Sequence, residues 1–303
     1  MKQFHALVPV LFLSLAGCGP RATQSSVIQI AQLGPETSAE FDTLRGAFAG
    51  ANPGYDIAWH PACVELEASV ENRVLFVQGP LEREVEPTVG DILLLPAGET
   101  WQAPDETRID LLAFQIPSDI PAGLPANIRP DWDPLITDTL GGCAEETGAY
   151  RRILLTWLKE KGPYVLHALN AHRVRITDSF SHYHPIEGGF DELYLVQMAS
   201  IDSRVLTSES VDLIEGEDLT AEQANGLIQS RTLRVGDLVY LPRGTMHRGI
   251  GGALVQVISV PGFVPNSEIG LDHHLRAINE KLKLTGGSAL PFHAAASSAA
   301  VLK

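Results

Sequence analysis

The side chains best suited to chemistry lie in two stretches of the 303-residue chain, Ser179–Gln197 (SFSHYHPIEGGFDELYLVQ) and Val235–Arg248 (VGDLVYLPRGTMHR). His182 and His184 are two apart, so on an extended strand both imidazoles leave the same face. Glu192 opens the phrase ELYLVQM, whose alternation puts Glu192, Tyr194 and Val196 on one face. His247 ends a strand-and-turn phrase in which Gly236-Asp237 and Pro242-Arg243-Gly244 are turn signals. Three imidazoles and one carboxylate suit a first-row divalent ion that keeps positions open for water or substrate. An HxH alone would read as surface histidines. Its pairing with PxGxxH, in this order and at strand ends, points to a metal centre.

Strands must carry these residues, and the sequence supplies them. From Ala51 to about Pro117 it reads YDIAWHP, VELEASV, RVLFVQ, DILLLP and IDLLAFQI, punctuated by Gly and Pro, the pattern of an all-β sandwich or barrel. An internal repeat is present: Val89–Gln102 (VGDILLLPAGETWQ) aligns without gaps on Val235–Arg248. Such self-similarity implies two copies of one domain.

The Ser179–Gln197 and Val235–Arg248 stretches resemble the two signature motifs of the cupin family. Over most of the chain this resemblance implies a bicupin: mostly β, two antiparallel jelly-roll barrels with a few flanking amphipathic helices. It is specific only in the second half, where it implies His182, His184, Glu192 and His247 as ligands near the wider end of the barrel. One departure is the gap between the second His and the Glu. It is usually three or four residues and here is seven, Pro185 to Asp191. Glu187 lies nearer the usual place but precedes Gly188-Gly189, a loop signal. Glu192 is therefore preferred, with Glu187 as its rival.

In the first copy the metal set is degenerate. Trp101 stands where His247 stands in the second. Laying AWHP (Ala58–Pro61) on HYHP (His182–Pro185) leaves only His60, and laying RVLFVQ on ELYLVQ puts Arg73 at Glu192. An indole and a guanidinium cannot replace an imidazole and a carboxylate as ligands. The first barrel is expected to be a structural or dimerising half, so a homodimer is an open expectation. A metal-free pocket in it is the alternative.

Cupins host many chemistries, so the fold does not fix a reaction. The resemblance implies a metal-dependent enzyme of oxygenase, decarboxylase or isomerase/lyase type acting on a small polar metabolite. The ion would be Fe, Mn, Zn, Ni or Cu. Glu187 and Tyr194 are candidate acid–base groups; both types are also common as pocket wall. Arg243 and Arg248 bracket His247 and are candidates to receive an anionic group. The alternative is a non-catalytic module of the cell envelope that binds or senses a sugar or other small molecule.

The formal net charge of −15 argues against nucleic acid as a partner. Lys2, the apolar run Ala6–Ala16 and Leu15-Ala16-Gly17-Cys18 resemble a bacterial lipoprotein signal. This implies cleavage after residue 17, lipidation of Cys18 and a membrane contact through that lipid. Gly19, rather than Asp, after the Cys implies the periplasmic side of an outer membrane. Cys63 and Cys143 remain as a candidate disulfide, with two buried thiols the equal alternative.

The expected organisation follows. Residues 18–36 form a tether, with Val27–Ile30 a candidate edge strand. The first barrel covers 37–130 and begins with a short helix that follows the capping-box stretch Thr37-Ser38-Ala39-Glu40 and carries Phe41, Leu44 and Phe48 at helical spacing. Residues 131–163 form a connection carrying an amphipathic helix over Cys143–Lys161, drawn from Tyr150, Ile153, Leu154, Trp157 and Leu158. The second barrel covers 164–265, with the acidic insert Ser200–Ser230 between its motifs. Residues 266–303 give a helix, from Leu271, His274, Leu275, Ile278 and Leu282, then a loose tail. His273 and His274 are adjacent, so they diverge on that helix and are poor co-ligands.

Overall fold

The structure is a computed structural model and describes residues 28–80, 86–141 and 148–303. The leader, Cys18 and Cys143, and with them the lipidation and disulfide expectations, lie outside the described residues.

In chain order the elements of the first unit are β1 (Gln29–Gln32), α1 (Ala39–Ala51), β2 (Asp56–Cys63), β3 (Glu65–Glu67), β4 (Asn72–Gly79), β5 (Ile92–Leu95), β6 (Thr100–Gln102), β7 (Ile109–Ile116) and β8 (Asn127–Ile128). Those of the second are β9 (Arg151–Leu155), β10 (Asn170–Asp178), β11 (His182–Tyr183), β12 (Asp191–Met198), β13 (Arg204–Ser208), α2 (Val211–Gly216), α3 (Ala221–Ala224), β14 (Gln229–Thr232), β15 (Asp237–Leu241), β16 (Met246–Val260), β17 (Ile269–Gly270) and α4 (Asp272–Leu282). The named strand pairings are antiparallel. The architecture is mostly β, as the strand pattern implied, and it is the antiparallel double jelly roll that the resemblance implied.

The first unit has a sheet in the order β2-β7-β4-β5-β8, faced by the pair β3-β6. In the second, β16 serves both walls. Its later half pairs with β10 and β12, and its earlier half with β11 and β13. The change of wall falls at Gly251-Gly252, both with positive φ (87° and 93°). A Cβ at Gly251 would sit 2.2 Å from the Asp202 carbonyl oxygen, so only glycine lets the strand turn there.

The main sheets of the two units pack face to face. Strand alternation explains how one strand serves two cores. On β12, Leu193 and Leu195 join Phe48, Phe76, Phe114 and Tyr240 in the layer between the units. Tyr194 and Val196 point the other way, into the second barrel with Val174, Val239, Val255 and Val257. Phe48 of α1 meets Phe114 and Tyr240 edge to face, at 5.8 and 5.9 Å between centroids. The helix lies where expected, and its cap is Ser38 within the Thr37–Glu40 stretch, which accepts the Phe41 amide. Its Phe41, Leu44 and Phe48 are buried.

A carboxylate sits at this junction. Asp191 is wholly buried. It accepts hydrogen bonds from Asn52 Nδ2 (2.6 Å), the Tyr240 hydroxyl (2.9 Å), and both the amide and Nε of Arg243 (2.9 Å each). Arg243 also donates to the Ala51 carbonyl and Asn52 Oδ1. The end of α1 is thus tied to the strand that carries Glu192.

Two expectations are corrected. The helix over Cys143–Lys161 is absent from its described part, where residues 151–155 form β9. The run RRILL satisfies both periods. Pairing with β10 decides for the strand, which sends Leu154 to the inter-unit core and Arg151 and Ile153 to the other face; a register shift at Ala171/His172 leaves Leu155 touching both that core and the cavity wall. The candidate edge strand within the tether is present as β1, two residues further on at Gln29–Gln32, paired with β15 of the second unit. The tail is docked rather than loose. Asn279 brackets Leu290 with two hydrogen bonds, Asp272 accepts the His293 amide, and Glu268 and Lys303 exchange backbone hydrogen bonds.

Removing one partner from a buried, hydrogen-bonded ion pair leaves its fellow uncompensated. Asp191→Ala is therefore expected to lose about 3–5 kcal/mol of unfolding free energy. Urea titration followed by tryptophan fluorescence measures this; a loss within about 0.5 kcal/mol, as for a surface change, would show the junction to be incidental.

Candidate metal centre

β11 and the start of β16 pair directly, with His182 opposite His247. His184 follows two residues after His182. Glu192 arrives from β12, on the inward face that alternation assigns it. One ligand atom from each of the four lies within 4.8 Å of all the others, and all four residues are buried. Glu192 Oε2 is 3.2 Å from His247 Nε2, and its Oε1 is 4.0 Å from His184 Nε2.

The orientation of the rings is fixed from behind. His182 Nδ1 lies 3.1 Å from the Phe180 carbonyl oxygen, and His247 Nδ1 lies 3.2 Å from that of Thr245. A carbonyl only accepts, so each Nδ1 carries a hydrogen, and Nε2 is the ring atom turned toward the cluster. Nε2 of His184 and of His247 is buried with no hydrogen-bond partner. Burial first, then neighbouring His247, pushes His182 and His184 well below the ordinary imidazole range, so they stay neutral. Phe180 stacks on His182 and Phe190 on His184, at 4.3 and 3.9 Å.

Neutral imidazole lone pairs and a carboxylate turned on one point, with orphaned nitrogens, fit a divalent metal. Two donors about 2.1 Å from one ion stand roughly 3–4 Å apart. The donor spread here needs only small side-chain adjustments to reach that.

The long gap after His184 has a local explanation. Pro185–Gly188 form a turn and Gly189 packs tightly, since a Cβ there would lie 2.2 Å from the Pro185 carbonyl oxygen. The extra residues deliver Phe190 onto His184 and still bring β12 into register. Glu187 is exposed on this turn and outside the cluster. Tyr194 is buried beneath Glu192, edge-on to His247 with 6.1 Å between centroids. Arg243 is held by Asp191, and Arg248 by Asp178 and the Ser179 carbonyl. Neither arginine lines the cavity that leads to Glu192.

That cavity, of about 410 Å³, is bounded by β9, β10, the 263–268 segment and Lys303. It exposes Glu192 and Ser259 beside Arg151, His172, Glu268 and Lys303, with Ile153, Leu155, Trp157 and Phe263 as apolar wall. Burial, then Glu192, pushes the Glu268 carboxyl up to about 7. Burial, then Arg151, pushes His172 well down. Sequence reasoning singled out none of these four polar residues. Arg151 was legible had RRILL been taken as a strand, because period 2 puts it with Ile153. Glu268 and Lys303 carry no spacing signal, since they reach the cavity from beyond the barrel.

The first barrel repeats the framework with its donors replaced. Arg73 pairs with Leu95 and Gln115 as Glu192 pairs with Leu241 and Ser259. Leu66 pairs with Trp101 as His182 pairs with His247. The Ala68 carbonyl accepts the Gly98 amide as that of His184 accepts the Gly244 amide. Leu66, Ala68, Arg73 and Trp101 therefore occupy the four ligand positions. This corrects the overlay of AWHP on HYHP: His60 pairs with Leu111 on β2 as Val174 pairs with Val255 on β10. Only Arg73 and Trp101 were placed correctly by sequence.

No family model and no curated protein matches the chain. Solved structures that resemble it include an oxalate decarboxylase of Lactobacillus farciminis in complex with formate, at 14% identity over 80% of this chain and 88% of that one, with a TM-score of 0.47. They also include a point mutant of salicylate 1,2-dioxygenase from Pseudoaminobacter salicylatoxidans, at 10% identity over 84% and 89%, TM-score 0.44. A protein from Planctomyces limnophilus matches at 21% identity over 49% of this chain and 98% of its own, TM-score 0.33.

A ligand that binds only the folded chain raises its stability. Saturating divalent metal is expected to raise Tm by roughly 5–10 °C in the chelator-stripped wild type. It should do so by less than about 2 °C in His182→Ala or His247→Ala, and fully in His60→Ala. Differential scanning fluorimetry reads all four.

Proposed function

We propose that this chain is an exported, lipid-anchored protein whose second barrel holds one divalent transition metal and catalyses a reaction of a small molecule in the adjoining cavity. The observation that carries the reading is the buried convergence of His182, His184, Glu192 and His247, with Nδ1 of His182 and of His247 occupied by backbone. A bound ion supplies Lewis acidity at an open coordination position. His182, His184, Glu192 and His247 hold it. The cavity walls exclude water and orient the substrate. Glu268 holds a proton at a carboxyl oxygen near neutral pH, so it can give or take one there; it is better placed for this than Glu187. Tyr194 supports the Glu192–His247 pair from below. The lipoprotein-like leader supports attachment through Cys18 to the periplasmic face of an outer membrane.

Elemental analysis of protein purified without chelator or nickel resin tests the centre. About one equivalent of transition metal per chain is expected in the wild type and in Arg73→Ala, and less than about a tenth in Glu192→Gln or His247→Ala. Equal content in all four sinks the proposal. Metal with tight ligand binding but no turnover would instead favour an envelope binding or sensing module. For the anchor, Cys18→Ser is expected to move the protein from the membrane to the soluble fraction; wild type found soluble removes that part.

A further inference from the structure

We propose that the cavity beside the metal centre takes an organic carboxylate with an apolar body, its charge received by Arg151 and Lys303 and its body by Ile153, Leu155, Trp157 and Phe263. This rests on the metal-centre reading for where the reacting end of the ligand lies; the anchoring of its charge is independent of it.

Arg151 faces the cavity from β9, and its Nε is buried with no hydrogen-bond partner among the described residues. Nor does Arg151 form an ion pair among them, while Arg152 next to it is bound to Asp131 and Asp138. A buried charged donor left unmade is costly. A guanidinium in that state is the group that best matches a carboxylate, because it can present two parallel N–H donors.

Lys303 brings a second cation. Its Nζ stands 4.7 Å over the ring of Phe180, the residue stacked on His182. Its backbone is fastened to Glu268, so it has a defined place at the cavity rim. Two cations beside a metal centre stand out on a chain with 37 acidic and 22 basic residues. Glu268 lines the same cavity.

The rest of the lining limits the ligand further. Trp157 and Phe263 stack at 4.2 Å, and the aliphatic face of β9 continues that wall. A wholly polar ligand would leave this surface unused. A neutral apolar one would leave the Arg151 donor unpaired. A volume of about 410 Å³ lies near the small end of ligand sites, about 300–1,000 Å³, so one small molecule fits and a polymer does not.

The test uses the full chain, metal-loaded and metal-stripped, titrated by calorimetry with cyclohexanecarboxylate and with its neutral amide, cyclohexanecarboxamide. The acid is expected to bind at least about tenfold more tightly than the amide, the scale of a charge-assisted hydrogen bond. Arg151→Gln and Lys303→Met should each reduce that preference to under about threefold with metal content unchanged. Lys303→Met, at the rim, keeps the test valid if Arg151→Gln does not fold. Equal binding of acid and amide, or binding of neither at millimolar concentration, overturns the inference. So does a folded Arg151→Gln that keeps the full preference. A wild type that takes up no metal yet still prefers the acid would remove the metal-centre reading and leave the anion site standing; a metal-loaded one with no preference would do the reverse.

Discussion

The second barrel depends on one condition: neutral imidazoles must stay neutral while buried beside a carboxylate. Burial supplies this for His182 and His184, since taking an imidazolium out of water disfavours the charged form. Backbone carbonyls of Phe180 and Thr245 then choose the tautomer of His182 and His247. Each carbonyl belongs to a residue two positions before its histidine. Ring orientation is therefore set locally by β11 and by the start of β16, while the approach of the rings is set by the pairing of those strands. The cluster leaves polar nitrogens without protein partners, a cost that a folded chain tolerates where a ligand is to be held.

Asp191 and Glu192 show how much alternation decides. They are adjacent carboxylates on one strand, both buried. One faces the inter-unit junction and is saturated by Asn52, Tyr240 and Arg243. The other faces the barrel, beside His184 and His247. The first uses its charge to hold two units together; the second keeps its charge available. A one-residue slip of β12 would exchange their roles and lose both.

The two units are one framework with two contents. Asp91 and Asp237 each accept the amide three residues earlier, from Thr88 and Arg234, so the same turn launches β5 and β15. The registers of β4 with β5 and β7 match those of β12 with β15 and β16 position for position. In the first unit Leu66 and Ala68 pack with Leu75, Val77, Leu93 and Leu111 as an apolar filling, where the second has histidines. The first unit contributes its outer face to the shared core and α1 to the Asp191 junction. This is a physical reason to keep a barrel that has lost its donors.

The strands and their turns were legible locally. So were the repeat, helix α1 and the histidine–glutamate set, because period 2, helical spacing, turn glycines and short motifs are written in neighbouring residues. Glu192 was separable from Glu187 for the same reason: one opens an alternating strand and the other precedes two glycines. What distance alone decides was not legible. RRILL fits a helix or a strand until β10 pairs with it, and that choice turns Arg151 to the cavity. AWHP looks like HYHP, yet pairing puts Leu66 and Ala68 at the histidine positions. Glu268 and Lys303 meet Glu192 only after the tail returns along β17. Local pattern fixes which face a residue takes on its own strand; which other strand that face meets is decided by pairing between residues far apart in the chain.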